Sequence, residues 1–171
     1  MLTTPGHIIV HPFHGPVRII GTTTRDLKQR SVRYLDVETL HHPLRISVPV
    51  DAVHRVGLRP LLDAQGVQRV LDLLGAPSDD DYENRWSRRI KDYQLKLQTG
   101  QVEQRVAVMR EIIRQRGPYP VPGAERDLLR EVRDGLTVEV SLTLGMSQAE
   151  AEAMLNDAVC PSIALVESAT G

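Results

Sequence analysis

The sequence predicts an α+β protein, with a small N-terminal β-barrel or bent antiparallel sheet followed by a C-terminal all-α helical bundle. Three observations carry that expectation. Residues 7–50 hold four or five short β-branched or alternating runs separated by turn residues. Near Asp51–Arg59 the apolar period changes from two to three-and-four. Beyond Pro60 the apolar stripes are interrupted at Gly75–Pro77, Thr99–Gly100 and Gly117–Gly123, where glycine and proline end helices.

In order, H-I-I-V-H (7–11) is a strand bounded by Pro5-Gly6 and Pro12. P-F-H-G-P (12–16) is turn chemistry, and V-R-I-I-G (17–21) is a second strand beside a threonine run. S-V-R-Y-L-D-V-E-T-L (31–40) alternates, with Val32, Tyr34, Asp36 and Glu38 on one face and Arg33, Leu35, Val37 and Thr39 on the other. His41-His42-Pro43 punctuates, and L-R-I-S-V-P-V (44–50) is a further strand. About 50 residues suffice for an SH3- or Tudor-sized barrel.

Leu62, Val70, Leu71 and Leu74 then stripe a first helix. S-D-D-D (78–81) offers an N-cap and first-turn acids for a second helix reaching about Leu97. Val102, Val106, Met109 and Ile113 stripe a third, and Leu128, Leu129, Val132 and Leu136 begin a fourth. Ser147 and Glu150 have capping-box spacing for a short last helix containing Ala151, Met154 and Leu155. The expected division is a β-domain at 1–55, a helical domain at 56–160 and a flexible tail at 161–171.

The totals describe an ordinary soluble globular chain: 171 residues, 41% hydrophobic, 25% charged. No apolar run reaches the ~18 residues of a membrane span. The N-terminus lacks the basic-then-apolar layout of a signal peptide, so a cytoplasmic location is expected. The single Cys160 excludes an internal disulfide framework and a cysteine-rich zinc site. Net charge is −1, but its distribution is uneven. Residues 81–120 carry nine Lys/Arg against five Asp/Glu, and residues 121–171 carry three against nine. A basic middle third suits either solvated helices or a surface facing an anion.

Catalytic signals are sparse. There is no phosphate-cradling glycine loop and no nucleophile elbow. His7, His11 and His14 cluster in sequence without an acid or cysteine to complete a metal site, and Pro12 interrupts their strand. His41-His42 reads as a turn, and the 79–81 aspartates read as a helix start. A binding protein without catalytic residues, metal or cofactor is expected. The notable stretch is N-R-W-S-R-R-I-K (84–91), which sets the only tryptophan among four cations. Tyr82, Trp86, Ile90, Tyr93 and Leu97 share a helical face, which is a core stripe. Cations beside a flat apolar wedge are also the composition of a minor-groove reader.

Three runs together resemble the CarD/CdnL family of bacterial transcription regulators, which bind RNA polymerase. G-H-I-I-V-H-P-F-H-G-P-V (6–17) is similar to the family's opening, and I-S-V-P-V (46–50) sits where the family closes its N-terminal barrel. Trp86, Ser87, Arg88, Arg89 and Lys91 form the family's W-S-R-R-x-K run. The likeness extends from about Gly6 to Val159. It implies a Tudor-like domain docking on the polymerase β subunit and a helical domain meeting promoter DNA at the upstream edge of the melted bubble. By position, Trp86 is the implied wedge, and Arg88, Lys91 and Arg89 the phosphate contacts. Arg25, Leu27, Ile46 and Ser47 are the implied polymerase contacts. Ser47 departs from the pattern, since well-known members carry arginine there; Arg45, two residues earlier, shares its strand face. The implied protein is a monomer that stabilises the open promoter complex and is nucleoid-associated through polymerase. Two other readings stand beside it: an adaptor that binds polymerase or another partner without touching DNA, and an enzyme using the N-terminal histidines with a metal.

Overall fold

The computed structural model describes residues 3–28, 30–77, 86–116 and 120–169. The chain divides into two compact units, Met1–Leu61 and Leu62–Gly171. The division falls a few residues after the change of apolar period, because Leu58 is buried in the sheet core and residues 59–60 still pair with the sheet.

The first unit is a five-stranded sheet: β1 (Ile8–His11), β2 (Gly15–Leu27), β3 (Arg30–Thr39), β4 (Arg45–Pro49) and β5 (Arg59–Pro60). Their order is β4-β3-β2-β1-β5, and every pairing is antiparallel. Of the barrel and the bent sheet expected, the open sheet is realised. Closure would need β4–β5 hydrogen bonds, and β5 is two residues long with a proline that has no N–H to give. The alternation predicted for β3 is observed: Leu35 and Val37 are fully buried and Thr39 nearly so, while Arg33 is exposed. Ile19 stands opposite Val37, and Val48 opposite Leu35. These residues form the core with Ile9, Val17, Val53 and Leu58. A register shift between Ile19 and Gly21 leaves Ile20 on the surface.

Local polar bonds set the turns. Thr39 Oγ1 donates to the His42 carbonyl and accepts from Leu44 N–H at 3.1 Å, which ties the β3–β4 turn. After β4, a 3-10 turn (Val50–Ala52) and the short α1 (Val53–Val56) fold Val53 under the sheet. Gly57, at φ +86°, ends α1 in the left-handed region that favours glycine.

The second unit is helical: α2 (Ala64–Gly75), α3 (Trp86–Gln98), α4 (Val102–Arg116), α5 (Gly123–Leu144) and α6 (Gln148–Ala169). Asp63 caps α2, its carboxylate accepting from Gly66 N–H at 2.7 Å. Val67, Val70, Leu74, Tyr93, Val106, Met109, Ile112, Val132, Leu136, Ala151 and Leu155 make one core. The expected capping box is present: Glu150 Oε2 accepts from Ser147 N–H at 2.8 Å, and Glu150 N–H donates to Ser147 Oγ at 3.2 Å. That helix is longer than the sequence suggests, with helical backbone through 161–169 where a flexible tail is expected. Residues 162–169 contain no glycine or further proline to end a helix that has passed Pro161. The S-D-D-D cap and Tyr82 lie outside the described residues.

Two polar devices hold this unit together. Arg110 Nη1 donates to the Leu73 carbonyl at 2.7 Å, and Arg114 donates to the Ala76 carbonyl, so α4 arginines satisfy the carbonyls at the end of α2. At the start of the unit, Leu62 N–H donates to Glu139 Oε1 at 2.9 Å, and Thr143 Oγ1 donates to the Leu62 carbonyl at 2.9 Å. Glu139 is buried, and the hydrogen bond from Leu62 supplies one of the partners its carboxylate requires.

Candidate functional site

The sheet presents one candidate surface. Alternation puts Tyr34, Asp36 and Glu38 outward, and register places Thr23 opposite Tyr34, Ser47 opposite Asp36 and Arg45 opposite Glu38. Ser47 is the centre of a polar ladder. Its hydroxyl accepts from Arg25 Nη2 at 2.9 Å and donates to Asp36 Oδ1 at 2.5 Å. Arg25 also lies over the Tyr34 ring, 4.9 Å from its centroid, and 4.0 Å from Asp36. The Ser47 hydrogen bond, with further help from Thr23 and Arg25, holds the Asp36 carboxyl below its ordinary value despite the opposing effect of burial.

The five residues singled out on this unit are therefore not equivalent. Arg25 and Ser47 are in direct contact. Arg45 shares their outward face and pairs with Glu38 at 3.5 Å. Leu27 is 52% exposed near the end of β2. Ile46 stands opposite Val37 and packs partly buried against the core, on the other side of β4 from Ser47. Sequence reading missed Thr23, Tyr34 and Asp36 as supports of this face. Their signal was the outward half of the β3 alternation, which becomes informative only when register supplies the neighbours.

The helical unit presents the second surface, on α3. Arg88 and Lys91 are exposed and three residues apart, so they stand on one side of the helix. Leu95, 63% exposed, continues that side. The opposite side is tied into the bundle. Arg89 Nε and Nη2 donate to Glu125 Oε1 on α5 at 3.2 and 3.0 Å, with side chains only 13% and 5% exposed. Lys96 Nζ meets Glu111 on α4 and Asp92 on its own helix, both at 3.1 Å. These two acids hold the Lys96 ammonium above its ordinary value although burial works against it. Tyr93 is buried between these ion pairs, and desolvation first, then the Glu111 and Glu125 charges, raise its phenol.

Arg89 thus differs from the expectation of a phosphate contact: its guanidinium serves a buried carboxylate inside the bundle. The cause is angular. Consecutive helical residues stand about 100° apart, so Arg88 faces out while Arg89 faces in. Of the expected core stripe, Tyr93 and Leu97 are buried and Ile90 is half-buried. Trp86 begins α3, but its side chain and that of Ser87 lie outside what the structure describes. Glu125, the partner of Arg89, was also missed by sequence reading; its first-turn position on α5 explains it equally well without a partner.

The histidines gather differently from the sequence reading. His11 is buried, and its Nδ1 accepts from Phe13 N–H at 3.2 Å. Its ring lies 4.8 Å from His14, which lies 6.2 Å from His42, which lies 4.3 Å from His41. His7 is exposed. Among the described residues, no group of three or more His, Cys, Asp or Glu side chains is arranged to hold a metal ion. No described helix is long and apolar enough to cross a membrane.

Comparison with known proteins covers both units. Residues 69–156 match the family described as "CarD, C-terminal domain", and residues 4–62 match "CarD-like/TRCF RID domain". The chain is also similar to "Putative transcription factor YdeB" of Bacillus subtilis (strain 168). The two are 19% identical over 143 residues, which span 84% of this chain and 93% of that protein.

Proposed function

The chain belongs to the CarD family of transcription regulators, which interact with RNA polymerase, and from that premise we propose that its β-unit docks on the polymerase β subunit while its helical unit stabilises the open promoter complex. The DNA contact is at the minor groove, at the upstream edge of the melted bubble, and does not read sequence. The supporting observation is α3: an inner side tied down by Arg89–Glu125 and Lys96–Glu111, and an outer side offering Arg88 and Lys91. Cations held at fixed spacing on a tethered helix suit phosphates, whose contact supplies affinity without sequence information. Trp86 is the wedge of this reading. Arg89 is its positioning residue rather than a contact.

The polymerase tether gives the helical unit a high effective concentration at the bubble edge, so a weak DNA contact suffices. A wedge that fits only the distorted junction binds the open state better than the closed one, and only that difference shifts the equilibrium. A preference of ~1.4 kcal/mol is tenfold in open-complex population. The protein acts as a monomer in the cytoplasm, associated with the nucleoid through polymerase.

Replacing Trp86 with Ala tests the reading: polymerase binding is retained and open-complex lifetime shortens, and an unchanged lifetime on several promoters defeats the wedge. A second reading, an adaptor that never touches DNA, is favoured by the withdrawal of Arg89 into the bundle. Anisotropy with forked and linear duplex across a salt series separates them. The adaptor predicts no salt-dependent preference for the fork.

A further inference from the structure

The β1–β2 and β3–β4 turns lie side by side at one end of the sheet. Val17 stands opposite Thr39 there, and Leu40 N–H donates to the Pro16 carbonyl at 3.2 Å. That end gathers four of the chain's six histidines, His11, His14, His41 and His42. The contact between His14 and His42, 6.2 Å between ring centroids, crosses from one turn to the other. His11 is buried at 5% exposure, His14 and His41 are half-buried, and His42 is exposed.

The bond from Phe13 N–H to His11 Nδ1 requires a lone pair on that nitrogen, so the ring must be neutral with its proton on Nε2. Protonation would set two N–H groups against each other and put a charge in a buried place. The groups around His11 offer that charge no relief. β1 and β5 contain no acid, and the one acid of β2, Asp26, is at its far end, bonded to Ser31. On β5, Arg59 stands opposite Val10 and donates to the Pro60 carbonyl. Arg18 on β2 is exposed, as are Asp51, His54 and Arg55 beyond β4. Glu38 on β3 is engaged with Arg45. The rings of His14 and His42 bring further charge as they titrate, at spacings that a Debye length of ~8 Å screens poorly. A turn needing only an acceptor at residue 11 would be served by Asn or Asp, whose side-chain oxygen takes the N–H two residues on without titrating near neutrality.

We propose that His11, His14, His41 and His42 form a protonation-sensitive latch, which holds the β1–β2 turn against the β3–β4 turn while the rings are neutral and releases it when they charge. The closed turn binds fewer protons than the open one. The latch is therefore fully stable above the ordinary histidine value of about 6.5 and weakens as pH falls below it. Mild acid then loosens this end of the β-unit and leaves the helical unit unchanged.

The test is NMR of the full chain between about pH 7.5 and 5.0, for wild type, H11N and H14N/H42N, following the His11 ring and the exchange protection of Phe13 N–H against its intrinsic rate. In wild type the His11 ring titrates below about 6.5, Phe13 protection falls at least ~5-fold over the range, and amides of α5 keep theirs. H11N, whose side-chain oxygen replaces the acceptor, keeps Phe13 protection constant. H14N/H42N lessens the wild-type loss, because fewer charges surround His11. Constant Phe13 protection in wild type, or the same fall in H11N, overturns the inference. Should H11N not fold, the other two forms decide: coincident pH curves for wild type and H14N/H42N show that the rings do not act together, and the latch is wrong.

Discussion

Arg25 and Arg89 carry the same guanidinium on two different supports. Arg25 extends from a sheet face, is 56% exposed, and bonds to a hydroxyl, a carboxylate and an aromatic ring while remaining open to solvent. Arg89 leaves the inner side of a helix, is 13% exposed, and meets a carboxylate, that of Glu125, more buried than itself. The first can exchange its neighbours for a partner's groups at small cost. The second cannot leave without stranding Glu125 in the bundle. Surface charge and structural charge are thus separated by what the partner would lose.

The largest test of that contrast is Glu125→Ala. Removing one member of a buried pair leaves the other uncompensated, so the helical unit should lose about 3–5 kcal/mol in urea unfolding followed by far-UV circular dichroism. A loss below about 1 kcal/mol would place Arg89 among the surface cations after all. Next is the double change Arg88→Gln with Lys91→Gln. DNA affinity should fall for every sequence alike, and the slope of log K against log salt should flatten by about 2. A sequence-selective loss would contradict a phosphate role.

On the sheet the effects are smaller. Arg25→Glu should weaken polymerase binding in a pull-down while stability changes by less than about 1 kcal/mol, because exposed pairs contribute little. Ser47→Ala should raise the Asp36 carboxyl toward its ordinary value, read by NMR titration. The sign is clear: the folded Asp36 value lies below the unfolded one, so its contribution to stability is present above about pH 4 and is lost as pH falls through the folded value. With Asp36 partly solvated that contribution is below about 1 kcal/mol. Arg45→Ala is the smallest, within about 0.5 kcal/mol, since Arg45 is 77% exposed beside Glu38.

Much of this was legible residue by residue. Leu35, Val37 and Thr39 fall on the buried face of β3 as their alternation requires, because successive strand residues point to opposite sides whatever the fold. Ser147 and Glu150 form their capping box because three residues of helix bring their groups together without outside help. The match to a known family followed from short runs such as W-S-R-R-x-K, which are local by nature. The Arg89 assignment was not legible. Its neighbours Arg88 and Lys91 have the same chemistry, and only packing against α5 distinguishes the inward one. Ile46 was singled out with Ser47, and only the register shows that the two face opposite ways, with Ile46 partly buried against the core.

Sequence alone thus determined the two-part architecture, most element positions and the chemistry on offer, since period, capping and turn residues act over a few residues of chain. Tertiary structure decided which offered groups are spent internally. Glu125 lies 36 residues from Arg89, and Asp36 lies 11 from Ser47. No local pattern encodes such meetings. They arise when elements pack, and a buried charge must then find a partner or pay the full cost of desolvation.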